Sequence, residues 1–152
     1  MNLLKKKNYL TMIENAAKGQ NWMFRNFYIE ENGREKDVLE NGGLSCAVFV
    51  SAILYLNKVI QDVHAIVGST TKDMIASGWY EIKDLRPGAV LIWENKLGHD
   101  DGKMHEHNGF YIGNDEAISN DSKGTGFPWK HHYTYNGTRK IEKIYWHSAL
   151  DD

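Results

Sequence analysis

Apolar positions recur along the chain with two different periods, and the change from one to the other falls near Gly78. Leu10, Ile13, Ala16 and Ala17 sit at helical spacing ahead of Gly19, which predicts a first helix over roughly residues 7 to 18. From Asn21 to Gly43 aromatics and charges mix without a period, and this stretch is expected to be irregular connection. The run from Ala47 to Leu56 is apolar on nearly every side, the pattern of a helix buried in the middle of a domain. Ser45 stands at its N-cap position, which puts Cys46 on the first turn. A short third helix is expected in "STTKDMIASGW", where Thr70 and Asp73 have capping-box spacing and Gly78 supplies a stop.

Beyond Gly78 the runs shorten. "RPGAVLIWE", "HNGFYIG", "EAIS", "KHHYTYNG" and "RKIEKIYWH" are β-branched or aromatic segments separated by Gly, Asn and Asp, the signature of an antiparallel meander. Helices first and strands second predict an α+β fold with the helices packed on one side of the sheet. A chain of 152 residues, 41% hydrophobic and without repeats or a proline-rich linker, is read as one domain spanning 1–152.

Charge and cysteine content narrow the function classes. Eighteen basic against twenty acidic residues give a formal net charge of −2, so no global field would hold the chain on nucleic acid or an anionic membrane. No apolar stretch reaches the length of a membrane span, and the basic start lacks the apolar core of a secretory signal. The chain is therefore expected to be cytoplasmic as synthesised, with release by lysis or in a phage setting as the route outward. Its one cysteine cannot form an intramolecular disulfide.

That cysteine is the first candidate for chemistry. A thiol at a helix N-terminus meets unpaired backbone N–H groups and the positive end of the helix dipole, which favour the thiolate and could also stabilise an oxyanion. A lowered thiol pKa is the corresponding expectation, whereas a Cys46 that is mere core packing would have a raised one. His107 opens a strand far along the chain, and a cysteine and a histidine brought together across a helix–sheet boundary form the usual pair of a thiol nucleophile and its base.

His105 and His107 share a strand face and are also spaced as metal ligands. With His99, Asp100, Asp101, His131 and His132 they make zinc the rival site, although no helical His-Glu-x-x-His or paired-cysteine spacing supports it. No metal or cofactor is expected. His105 reads as a rim residue of the cleft, His131 and His132 as structural strand histidines, one in and one out, and His64 as surface; His147 has no evident role. The five tryptophans are dispersed and read as core or cleft walls, not as a stacking platform for bases.

The order "GGLSCAVFVSAIL", "LRPGAVLIWE", "HNGFYIGNDEAISN" resembles the NlpC-type cell-wall peptidases, the bacterial branch of the papain-like cysteine peptidases. In that family a cysteine begins the central helix, Pro-Gly precedes the first sheet strand, and a histidine heads a strand of the form H-x-G-x-Y-x-G-N. Cys46, Pro87-Gly88, and His107 with Gly109, Tyr111, Gly113 and Asn114 fill those positions. The resemblance implies a papain-like fold and hydrolysis of an amide bond in peptidoglycan stem peptides, at a bond involving D-glutamate or diaminopimelate. It also implies Cys46 as nucleophile, His107 as base and acid, and a third residue that orients the imidazole. Direct counting puts that third residue at Ser119. Asn120 is preferred, because an amide oxygen can accept from an imidazole N–H, and the choice requires a one-residue slip or bulge. Tyr28 lies where the family often has an oxyanion-hole tyrosine but is read as core. The chain departs from the family in having Ser45-Cys46-Ala47-Val48 for Asp-Cys-Ser-Gly and Ala89 for the aspartate after Pro-Gly. An acyltransferase or amidase on another small acyl substrate, and a non-catalytic binding module on the same fold, stay open as alternatives.

Overall fold

The structure is a computed structural model and describes residues 1–97 and 102–151. Among the described residues are helices α1 (Lys5–Ala16), α2 (Cys46–Leu56) and α3 (Val67–Ala76) and strands β1 (Tyr28–Glu31), β2 (Arg34–Asp37), β3 (Tyr80–Ile82), β4 (Val90–Leu97), β5 (Met104–Gly113), β6 (Glu116–Asn120), β7 (Pro128–His132) and β8 (Ile141–Trp146). The fold is α+β, with helices leading and an antiparallel six-stranded sheet following. Its strand order is β3-β8-β4-β5-β6-β7. The meander expected from the sequence holds from β4 to β7, but the last strand does not extend it: β8 returns to the other edge of β4 and carries β3 outside itself. The connection between α1 and α2 is also more regular than expected. Asn32 and Gly33, at φ of 55° and 74°, make a tight hairpin of β1 and β2, and Trp22–Phe24 forms a 3₁₀ turn. Among the described residues no helix is long and apolar enough to cross a membrane.

Alternation along the strands sorts the sheet into two faces. Val90, Ile92, Phe110, Ile118 and Tyr145 point toward α1 and α2, where Tyr9, Ile13, Phe49, Val50, Ile53 and Leu54 complete the main core. Edge-to-face ring contacts run from Phe24 to Phe49 to Phe110 to Tyr9, at centroid distances of 5.2, 5.5 and 5.9 Å, and fix α2 across β5. Truncating Phe49 to alanine there would cost about 3–5 kcal/mol. On the other face Leu91, Trp93, Tyr111 and Ala117 form a smaller cluster covered by Tyr133 and Tyr135 from the segment between β7 and β8.

The helix ends follow local chemistry. Gly78 closes α3 at φ 103°, with Trp79 N–H returning to the Met74 carbonyl, so the glycine stop is where the sequence put it. The start differs, because α3 begins at Val67 and Thr70 lies inside it, its hydroxyl donating back to Ile66 O. Asp73 consequently caps nothing of its own helix; it accepts from the Gln61 and Asp62 N–H groups and from His64.

Candidate functional site

β5 delivers His107 and the hairpin behind it delivers the partners. Asn114 and Asp115, both at positive φ, turn β5 into β6 so that Phe110 faces Ile118 and Tyr111 faces Ala117. This register sets Ser119 on the same sheet face as His107, and the β6–β7 pairing adds His131 beside Ala117. Gly109 makes the approach possible. A Cβ there would stand 2.7 Å from Ser119 Cβ and 2.9 Å from the Trp93 ring, so only glycine lets that indole and β6 close in. Trp93, paired with His107 across β4 and β5, stacks on the imidazole at 5.0 Å between centroids.

The result is a buried polar cluster. His107 Nε2 lies 3.0 Å from Ser119 Oγ and 2.8 Å from the Tyr135 hydroxyl. Ser119 Oγ also lies 2.7 Å from His131 Nε2 and 2.9 Å from the Tyr135 hydroxyl, and His131 Nδ1 donates to the His132 carbonyl at 2.8 Å. Tyr135 stacks on the His131 ring at 4.1 Å. No carboxylate hydrogen-bonds to either ring among the described residues. Burial accordingly lowers the pKa of both imidazoles, that of His107 well below the ordinary value, with Arg139, His131 and Lys123 adding like-charge opposition there; the phenol of Tyr135 is pushed up to about 12, chiefly by burial.

Cys46 approaches from the helix side. The β5–β6 ladder stops at Phe110 and Ile118, although β6 runs on to Asn120, and the thiol lies at this opening, within reach of the backbone N–H of Asn108, the residue after His107. Burial raises the Cys46 pKa; the N–H groups of Asn108, Ala47 and Cys46 and the Arg139 charge oppose it without prevailing. The lowered thiol pKa expected from the helix N-terminus is therefore overturned and the shift is the raised one expected of a packed cysteine, because desolvation outweighs the helix end. No hydrogen bond joins the Cys46 sulfur to the His107 ring among the described residues. Burial favours the uncharged form of both groups, the thiol at Cys46 and the neutral imidazole at His107.

The loop before Cys46 is held tightly. Gly42, at φ 97°, packs where a Cβ would come within 2.7 Å of the Gly126 carbonyl, and Arg25, stacked over Trp22 and Phe127, bonds Asn41 Oδ1 and the Thr125 carbonyl. Ser45 occupies the N-cap position, but its hydroxyl makes no capping bond and donates instead to Arg25 O.

Several expectations need correction. Asn120 does not orient His107: it points to the opposite sheet face, where its Nδ2 donates to Gly42 O at 2.8 Å and to Ser122 Oγ, and its buried Oδ1 has no partner among the described residues. The β5–β6 pairing has one irregularity, beside the turn between Tyr111 and Gly113; past it Tyr111 faces Ala117 and Phe110 faces Ile118, which puts Ser119 and not Asn120 on the face of His107. Tyr28 is not core but 65% exposed on the β1–β2 hairpin. His64 is half-buried and paired with Asp73 at 2.7 Å. His147 has a role after all: its ring donates to Ser77 O and accepts from Ala149 N–H, tying the C-terminal 3₁₀ turn to the end of α3. Of the zinc rival's residues, His99, Asp100 and Asp101 lie outside the described residues. Among those described no group of three His, Cys, Asp or Glu side chains is gathered as metal ligands.

Sequence reasoning missed His131 as a site member, Tyr135 and Arg139. Period two put one of His131 and His132 inward, but which one depends on the β6–β7 register. Tyr135 and Arg139 come from the segment before β8, whose return beside β4 has no local signal. Arg139 spans β4 and β5, donating to the carbonyls of Glu94 at 3.0 Å and His105 at 3.1 Å. Comparison with models of known protein families and with curated proteins returned no match for the chain.

Proposed function

We propose that the chain is a papain-like cysteine hydrolase of the NlpC type that cleaves an amide bond in peptidoglycan stem peptides. Cys46 is the nucleophile, His107 the base and acid, and Ser119, in place of Asn120, the residue that orients the ring. The observation that carries the reading is the way His107 is held: Nε2 is engaged by Ser119 and Tyr135, while Nδ1 has no partner among the described residues and is the ring nitrogen left to exchange a proton with Cys46.

With a neutral thiol and a neutral imidazole at rest, deprotonation accompanies attack instead of preceding it. His107 Nδ1 takes the Cys46 proton as sulfur bonds to the acyl carbon. In this reading the backbone N–H groups at the start of α2 serve as donors to the developing oxyanion. Collapse of the tetrahedral species breaks the C–N bond, and the imidazolium returns its proton to the leaving amine. Water, deprotonated by the same ring, then releases the acid from the thioester and restores Cys46. A chain of this kind, cytoplasmic as synthesised, would reach the cell wall on lysis.

Incubation with purified stem peptides and mass analysis of the products tests the reading. A new amine and a new carboxylate at one bond are expected from the wild type, and neither from Cys46→Ala or His107→Ala of unchanged fold. Intact peptides after prolonged incubation with folded wild-type protein would overturn it.

A further inference from the structure

We propose that His131 is a positioning residue that selects the tautomer of His107 through Ser119 and so decides whether Nδ1 of His107 is available as a base. Its role in turnover rests on the proposed hydrolase reading; the tautomer selection does not, and it can be observed without any substrate.

The argument is a count of protons. The His132 carbonyl can only accept, so His131 carries its proton on Nδ1 and, when neutral, presents a lone pair at Nε2. Ser119 must then donate its one O–H to His131 Nε2. Its lone pairs are left to accept, one from Tyr135 O–H and one from His107. His107 therefore holds its proton on Nε2, shared between Ser119 and the Tyr135 oxygen, and its Nδ1 is bare. In this arrangement every donor in the cluster has an acceptor, whereas moving the His107 proton to Nδ1 with a neutral His131 would leave that N–H without an acceptor among the described residues and the Ser119 lone pairs unused.

A second proton on His131 reverses the chain. Nε2–H would donate to Ser119, whose own O–H must turn to the Tyr135 oxygen or to His107 Nε2. In the first case His107 Nε2 is the acceptor left for Tyr135 O–H, so in both cases Nε2 must give up its hydrogen. The His107 proton moves to Nδ1, and the base is lost without His107 itself changing charge. The groups that bear on the switch are the His132 carbonyl and Asp121, which favour the charged form of His131, and the His132 ring, which opposes it; Arg139, His131 and Lys123 oppose a charge on His107. Burial lowers the pKa of both rings, and His131 is the one with support for a second proton, since its Nδ1 already donates to the His132 carbonyl and Asp121 favours its charged form.

Nitrogen NMR of histidine-labelled protein reads the tautomer directly. At neutral pH the wild type should show His107 with Nδ1 unprotonated. Ser119→Ala and His131→Phe should lose this single tautomer and give a mixture. His131→Gln, whose amide oxygen can accept the Ser119 proton but cannot titrate, should keep it. On acidification the wild-type His107 signal should change tautomer in step with protonation of His131, and this change should vanish in His131→Gln. A wild-type ring protonated on Nδ1, or a single Nδ1-bare tautomer persisting in folded Ser119→Ala, would overturn the proposal. Ser119→Ala removes one buried oxygen and keeps the test available if His131→Phe does not fold.

Discussion

Two histidines of this chain are held in opposite ways. His64 meets the carboxylate of Asp73 at 2.7 Å, at the junction of α3 with the segment after α2. His107 is buried among neutral groups, with hydroxyls on one ring nitrogen and an indole on its face. Around His64 the carboxylate does the structural work: burial pushes Asp73 up, but His64, the N–H groups of Gln61 and Asp62, and Ser77 together outweigh it and bring the pKa down to about 2. Around His107 nothing neutralises a positive ring, so the resting imidazole stays neutral. A carboxylate partner makes a brace; hydroxyl partners on a buried ring make a group that can still take a proton.

The largest effects should fall on the second site alone. Cys46→Ala should abolish stem-peptide cleavage, and His107→Gln should lower it by about 10²–10⁴, the usual contribution of a general base. His64→Gln should leave turnover unchanged. Steady-state kinetics on the three folded variants breaks the comparison if His64→Gln loses as much as His107→Gln.

Stability should show the reverse ranking. Asp73→Ala removes acceptors from two backbone N–H groups, from Ser77 and from His64, and should cost about 2–3 kcal/mol by urea unfolding, the scale of hydrogen bonds to a charged group. The pH signature follows from the sign of the shift. The folded pKa of about 2 lies below the ordinary aspartate value of 3.8, so this contribution is full above the unfolded value and is lost as the pH falls through the folded one.

The buried rings give a second acid limb at higher pH. Their folded pKa values lie below the ordinary 6.5, so in this range the unfolded chain binds more protons. Stability is complete above about pH 6.5 and declines as the pH falls from there toward the folded values. Melting temperatures between pH 7 and 5 should fall less steeply in His131→Gln than in the wild type. Gly109→Ala should be milder, costing about 1–3 kcal/mol by overpacking against Ser119 and Trp93, and should slow turnover by displacing both from His107.

What the sequence made legible was whatever local pattern decides. The apolar run after Ser45, the Gly78 stop and the H-x-G-x-Y strand set Cys46 and His107 on the right elements before any tertiary contact is known. Even the residue bonded to the His107 ring, Ser119, was accessible by counting along the β5–β6 hairpin, and the preference for Asn120 failed because amide chemistry was set above strand alternation. Tertiary placement was not legible. β8 returns beside β4 and brings Arg139, and the turn before it brings Tyr135, by contacts that no short window encodes. The thiol pKa failed for a related reason: the helix N-terminus is written in the sequence, whereas the desolvation that overrides it depends on how Cys46 packs against the core.

The most direct test of the central claim, a nucleophilic Cys46 served by His107, is rapid acid quenching of the protein with a stem peptide, followed by intact mass and peptide mapping. The account predicts a mass increase equal to the acyl half of the peptide, carried on Cys46, together with one equivalent of released amine, and neither in His107→Ala. Released amine with Cys46 unmodified, or a native thiol that no acyl donor or alkylating agent reaches until the chain is unfolded, would contradict it.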